Sequence, residues 1–276
     1  MVMLLHCTES TFLPRMSKML HLIGRKALDI LFGLGDYALF TGRSFHAVMH
    51  SKRIWRRLIR SIYEQGTVCL PVILIVGLFT GLVLGLQGYH ILNRFGSEGL
   101  LGAMVSLSLV REMAPVLAGL MLIGQSGSAL AAELGIQRNS EQIVALETMG
   151  VESHGYLVTP RLIAALLVYP FQTALFVVIG FWGGSLSGSL LLGVDSGVYW
   201  SSIQRAIESR DLRECFIKAA VFGILSVTIC AYQGFHADRN HSDTGARAVS
   251  AATTRAVVMS SIMVLVADYV VSSFFI

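Results

Sequence analysis

From residue 64 onward the chain alternates long apolar runs with short polar interruptions, and the runs are too long for strands or ordinary core helices. A helix that crosses a bilayer needs about 20 apolar residues. That length predicts five spans, at about residues 66–92, 99–124, 161–192, 215–234 and 255–275. Arg111-Glu112 interrupts the second span, and the fifth contains Asp268. The third is longer than one perpendicular helix requires, which predicts tilt or a break near Pro170. Residues 20–60 follow another pattern, with Leu28, Ile30, Leu31, Phe32, Leu39 and Phe40 set among Arg, Lys, Asp and His. Such a stretch is too polar to span and predicts an amphipathic helix lying in the interface, with Trp55 and Tyr63 as anchors. The fold class that follows is an all-α integral membrane protein of about five transmembrane helices preceded by an N-terminal interfacial amphipathic helix. Its organisation is an interfacial segment over 1–63 and a membrane domain over 64–276.

Composition agrees with the pattern. The chain is 54% hydrophobic and 14% charged, with a mean hydropathy of +0.67. A soluble domain carries about 25% charged residues, so a water-facing surface could not be covered. The net charge of +4 is unevenly spread: residues 1–66 hold ten Lys/Arg against four Asp/Glu, leaving −2 for the remainder. Much of the excess lies in Lys52-Arg53-Ile54-Trp55-Arg56-Arg57-Leu58-Ile59-Arg60. Directly before a long apolar run, this reads as a cytoplasmic flank beside anionic headgroups and not as a nucleic-acid patch. An N-terminus in the cytoplasm and five spans put the C-terminus on the other side. Loops 125–160 and 234–254 are then cytoplasmic, and 93–98 and 194–214 external. Cys7, Cys69, Cys215 and Cys230 form no C-x-x-C and read as small buried residues. No signal peptide stands out, and Met16 and Met19 are alternative starts.

Few positions offer chemistry. Gly77, Gly81 and Gly85 in the first span, and Gly180, Gly184 and Gly188 in the third, repeat every four residues. They serve either close packing within the chain or a dimer seam. Arg111 and Glu112 are costly in an apolar stretch and, being adjacent, share no helix face, so each needs its own partner or a polar cavity. A structural ion pair with another helix is the alternative. Asp268 reads as lying near an interface. The stretch Gly124–Gly135 lacks the Gly-Lys-Ser/Thr ending of a phosphate loop, and no such pattern occurs elsewhere, which excludes nucleotide hydrolysis by this chain. Ser140–Gly150 sets Ile143, Leu146 and Met149 at three-residue steps before a helix-stopping glycine, a short amphipathic helix suited to a partner's groove. His236, His241, Asp238 and Asp243 fit no metal template, and no Ser/His/Asp or Cys/His constellation can be assembled. No cofactor, metal site or catalytic residue is expected.

Several stretches together resemble the MlaE (YrbE) permeases, the membrane subunits of MCE-type ABC lipid transporters. They read Gly81-Leu-Val-Leu-Gly-Leu-Gln-Gly-Tyr89, Ser106-Leu-Ser-Leu-Val-Arg-Glu-Met-Ala-Pro115 and Ser126-Gly-Ser-Ala-Leu-Ala-Ala-Glu-Leu-Gly135. Further on come Glu141-Gln-Ile-Val-Ala-Leu-Glu-Thr-Met-Gly-Val151, Pro160-Arg161, Gly180-Phe-Trp-Gly-Gly184 and Ala252-Thr-Thr-Arg255. The resemblance implies a homodimeric permease in a Gram-negative inner membrane, bound to a cytoplasmic ABC ATPase, a periplasmic MCE-domain ring and often a STAS-domain regulator. Phospholipid is the implied substrate, and ATP is bound by the partner. Carried over by position, Leu78, Leu82, Leu86 and Tyr89 would line a lipid pocket, with Leu107, Arg111 and Glu112 close by. A helix over about 137–150 would couple to the ATPase through Glu141, Ile143, Leu146, Glu147, Met149 and Gly150, supported by Glu133 and Arg138. Two positions depart from the family: Gln125 stands where a basic residue is expected, and Glu152-Ser153 replaces Asp-Pro. Two other functions fit the residues, an ion-coupled secondary transporter using Arg111, Glu112 and Asp268, and a non-transporting scaffold for an MCE ring.

Overall fold

The computed structural model describes residue 28 and residues 31–47, 55–239 and 245–275. Chain contacts divide it into two units, 1–46 and 47–276. The first unit holds most of helix α1 (31–47), which buries Phe40, Ser44 and Ala47 along one face and exposes Leu31, Phe32, Leu34, Leu39 and Phe45. That is the helical spacing of an amphipathic element. Ile30 lies outside the described residues, as do the alternative starts.

The second unit contains five helices long and apolar enough to cross a membrane, Trp55–Asn93, Glu98–Asn139, His154–Leu191, Ser209–Phe235 and Ala246–Phe275. The expected fold class is therefore observed, and no strand occurs among the described residues. Most of the helices run beyond the apolar stretches that predict them. Backbone hydrogen bonding does not stop where side chains become polar, because every N–H and C=O near lipid is best satisfied within the helix.

The first span begins with the basic helix α2 (Trp55–Ile62), passes through a π-helical turn at Tyr63–Thr67 and becomes α3 (Leu70–Asn93). The second is built from α4 (Leu101–Ser108), α5 (Ala114–Leu122) and α6 (Ser128–Asn139), joined by π-turns at Leu109–Met113 and Ile123–Gly127. A short α7 (Gln142–Thr148) leads to a π-turn at His154–Val158 and α8 (Thr159–Ser185). Helix α9 (Ser196–Ala206) caps the loop before α10 (Ser209–Phe235), and α11 (Ala246–Phe275) closes the unit. Helix α8 runs unbroken through Pro170, contrary to the break allowed for at that residue. One missing N–H costs less than unwinding a turn and exposing further backbone to lipid.

The glycine stripes settle as close packing within the chain. A methyl group added at Gly81 would collide with the carbonyl oxygen of Gly180, one at Gly183 with that of Leu78, and one at Gly85 with Ser187 Oγ. Helices α3 and α8 thus touch backbone to backbone along their length. Farther down, the buried Gln172 of α8 donates to Gly66 O at 2.7 Å, while Gln65 donates to Arg161 O at 3.1 Å, fixing the α2–α3 junction. Helix α10 is the central element, with 61% of its most apolar stretch buried against 11% for α11. The outer face of α11 is correspondingly apolar, with Val258, Ile262, Leu265, Val266 and Tyr269 exposed.

Candidate functional site

Spans two, four and five bring charged side chains together inside the apolar layer. Lys218 of α10 is completely buried, an expensive placement for an ammonium group unless oxygen atoms surround it. Its Nζ donates to Arg111 O at 2.7 Å and to Glu112 Oε1 at 3.0 Å. Glu214 Oε1 lies at 3.2 Å and Asp268 Oδ1 at 3.3 Å. A lysine has three N–H donors. Four oxygens surround them: Arg111 O and Glu112 Oε1 accept hydrogen bonds, and Glu214 Oε1 and Asp268 Oδ1 complete the shell as ion-pair partners. The Ser272 hydroxyl, one turn beyond Asp268, lies 3.4 Å from Glu112 Oε1.

Arg111 pairs separately, its Nε donating to Asp211 Oδ1 at 2.9 Å. Asp211 also closes the first turn of α10 in a capping box with Glu208. Asp211, Glu214 and Lys218 recur at helical spacing, so one face of α10 serves both members of the Arg111-Glu112 pair. The π-turn at Leu109–Met113 helps, since its wider turn changes the angle between successive side chains. The expectation that each charge finds its own partner is met by this helix. Asp268, read from the sequence as an interfacial residue, instead contributes a carboxylate to Lys218.

The cluster holds two cations, Arg111 and Lys218, and four carboxylates, Asp211, Glu112, Glu214 and Asp268. It is sealed on one side and open on the other: the Lys218 side chain is 0% exposed, whereas those of Arg111 and Glu112 are 53% and 48% exposed. The sequence reading missed Lys218, Asp211 and Glu214. A signal was present, because Lys218 lies inside the fourth apolar run, where a lone lysine requires an explanation.

Depth follows from helix length. Arg111 lies about 20 Å along its span from Glu98, Lys218 about 14 Å from Ser209 and Asp268 about 10 Å from Phe275, at 1.5 Å per residue. Successive spans alternate direction, so these ends, and Asn93 of α3, emerge on the same side. Leu78, Leu82, Leu86 and Tyr89 form one stripe on α3, about 6–22 Å from Asn93. Leu86 is exposed, and Leu78, Leu82, Tyr89 and Leu107 are half-buried. The stripe and the cluster thus lie at overlapping distances from the same ends of the spans. Near that end, Tyr199 of α9 donates to Phe181 O at 3.2 Å, and burial raises its phenol above the usual range, keeping it a neutral donor.

The opposite ends carry the loop helix α7. It spans Gln142–Thr148, shorter than the expected 137–150, because α6 continues to Asn139 and Glu141 then takes a left-handed φ of 58°. The chain leaves α7 through a Schellman motif, with Val151 N donating to Leu146 O and Gly150 N to Glu147 O, both at 3.0 Å. Gly150 supplies the φ of 75° this turn requires. The three apolar positions part company: Ile143 is buried as an anchor, Leu146 is half-buried and Met149 is 70% exposed. Ser153, one of the two positions expected to depart from the family pattern, donates to Glu147 Oε1 at 2.8 Å. Glu133 pairs with Arg161 at 2.6 Å and Arg138 with Asp238 at 2.9 Å. Gln125 donates to Val68 O at 3.2 Å, tying a π-turn to the first span. No group of three His, Cys, Asp or Glu side chains suited to a metal occurs among the described residues, and His241 and Asp243 lie outside them.

The chain resembles known proteins over nearly its whole length. It is 36% identical over 252 residues to the intermembrane phospholipid transport system permease protein MlaE of Haemophilus influenzae, covering 91% of this chain and 95% of that one. A probable ABC transporter permease protein of Rickettsia bellii is also 36% identical, over 92% of this chain and 96% of its own length. The chloroplastic protein TRIGALACTOSYLDIACYLGLYCEROL 1 of Arabidopsis thaliana is 32% identical over 86% of this chain and 66% of its own. The model of the family described as Permease MlaE matches residues 58–274, from the basic helix α2 almost to the end of α11. The chain belongs to the MlaE permease family.

Proposed function

We propose that this chain is the membrane subunit of an ATP-driven phospholipid transporter in a Gram-negative inner membrane. It would act as a homodimer with a cytoplasmic ATPase, a periplasmic MCE-domain ring and, in some assemblies, a STAS-domain regulator. Its task is to move phospholipid between the inner membrane and the periplasmic or outer-membrane side, maintaining outer-membrane lipid asymmetry. The observation that carries the reading is the half-open charged cluster at the same depth as the apolar Leu78–Tyr89 stripe. A phospholipid needs both, an apolar wall for its tails and fixed charges for its headgroup. The names of the Haemophilus and rickettsial relatives support the substrate and the transporter class. Without a phosphate loop in the sequence, ATP energy must arrive from a partner, and α7 with its exposed Met149 is the segment offered for docking. The N-terminus is assigned to the cytoplasm and the C-terminus to the periplasm.

Purification of the chain with its native partners tests this directly. Co-purifying ATPase and extractable phospholipid are expected; a chain that carries neither sinks the proposal. The excess of carboxylates over cations in the cluster favours a second reading, ion-coupled transport by this chain alone. Uncoupler-sensitive transport in vesicles lacking any ATPase would establish that instead.

A further inference from the structure

A second charged site lies at the opposite ends of the spans. A recess of about 200 Å³ opens between α2, α6 and the start of α8, and Arg57, Arg60, Glu64, Glu133, Tyr156 and Arg161 are among the residues lining it. We propose that it binds the phosphate of an anionic lipid headgroup, independently of the transported lipid.

Three guanidinium groups meet two carboxylates here. Arg161, largely buried, pairs with Glu133 at 2.6 Å and donates to Leu157 O at 2.8 Å. Arg60 pairs with Glu64 at 2.7 Å. Glu133 also accepts from Gln137 at 3.2 Å. Both carboxylates are thereby engaged, and none among the described residues pairs with Arg57. Its guanidinium carbon sits 3.3 Å from the centroid of the Tyr156 ring. Stacking occupies the flat face and leaves the N–H edge free for an oxyanion. The recess therefore carries one uncompensated positive charge, held in place before any ligand arrives.

Its location selects a lipid over a dissolved anion. Helix α2 opens the first span, ahead of its apolar run, and the end of α6 and the start of α8 lie on the same side. Trp55 and Ile59 of α2 and Tyr63 of the π-turn that follows recur four residues apart, and all three are exposed. Arg57, Arg60, Ser61 and Glu64 line the recess. An amphipathic helix of this kind lies at the headgroup boundary, where a basic pocket between helices meets lipid phosphate and acyl chains together. A dissolved phosphate would gain the charge contacts but none of the apolar ones.

The full chain would be placed in nanodiscs of phosphatidylcholine, with and without phosphatidylglycerol, and the phosphatidylglycerol retained after detergent extraction counted by native mass spectrometry. The parent chain is expected to retain at least one molecule. Arg57→Gln should lower retention threefold or more, and Arg57→Lys should restore part of it. Arg56→Gln removes the same charge from the neighbouring position, which does not line the recess, and should leave retention unchanged. Equal losses in Arg56→Gln and Arg57→Gln would overturn the proposal in favour of diffuse attraction. So would retention insensitive to Arg57, or displacement of the lipid by millimolar inorganic phosphate, which would mark a site for free anions. Melting temperatures in pure phosphatidylcholine discs, equal for all variants, confirm that each is folded; a variant that melts early is replaced by Tyr156→Leu, which removes the stack and keeps the charge.

Discussion

Lys218 shows how strongly one side chain can constrain a membrane protein. Its ammonium group is fully buried and depends on oxygens from three spans, so removing it strands carboxylates in an apolar layer. Lys218→Met is expected to destabilise the purified chain by about 3–5 kcal/mol, the usual cost of leaving a buried charge unpaired. Combining it with Asp268→Asn should recover part of the loss, and melting temperatures of the single and double variants would measure the coupling. An unchanged melting temperature for Lys218→Met would mean that the cluster is solvated. Ser153 acts on a smaller scale. Its hydroxyl tethers Glu147, so Ser153→Ala should weaken the hold on α7 by on the order of 1 kcal/mol. Amide exchange in 142–150 would then rise about five-fold, with the melting temperature of the whole chain little altered.

At the scale of elements, the α3–α8 contact depends on missing side chains. Gly81 and Gly183 let the two helices approach until backbone meets backbone, and a larger residue must push them apart. Gly81→Leu is expected to cost about 1–3 kcal/mol through overpacking, read as a lower melting temperature. Phe79→Leu, on the exposed face of the same helix, should leave it unchanged. The helices themselves were legible from apolar run length, and α7 from the three-step spacing and the Gly150 stop. The π-turns were not legible. A π-turn is a local compromise with neighbouring helices, as at Leu109–Met113, where the turn carries Arg111 and Glu112 toward two different side chains of α10.

For the whole molecule, the charges lie at two levels. One cluster sits about 10–20 Å along spans two, four and five from their common side, and the other lies where spans one, two and three emerge on the far side. The Leu78–Tyr89 stripe shares a level with the first. Leu86→Asp on this exposed position should leave a complex with the partner ATPase assembled while lipid transfer between vesicles falls at least ten-fold. Loss of assembly together with transfer would assign Leu86 to a structural contact, and intact transfer would remove it from the lipid path. A scaffold that does not transport has no reason to respond at Leu86 alone.

Arg111 and Glu112 stood out as charges within an apolar run, the resemblance alone suggested the Leu78–Tyr89 stripe, and hydropathy determined that the chain is helical and crosses a membrane about five times. These rest on local information: a bilayer demands some twenty apolar residues in a row, and that demand is written residue by residue. Which charges meet was decided only in three dimensions. Arg111 and Asp211 stand 100 positions apart, and Ser272 reaches Glu112 across 160. The basic run at 52–60 announced a membrane flank, yet only the packing of α2 on the turn before α8 separates Arg57, stacked on Tyr156, from Arg60 and its glutamate. Linear spacing sets which face of a helix a residue occupies. Which other helix that face meets depends on the packing of all five spans at once.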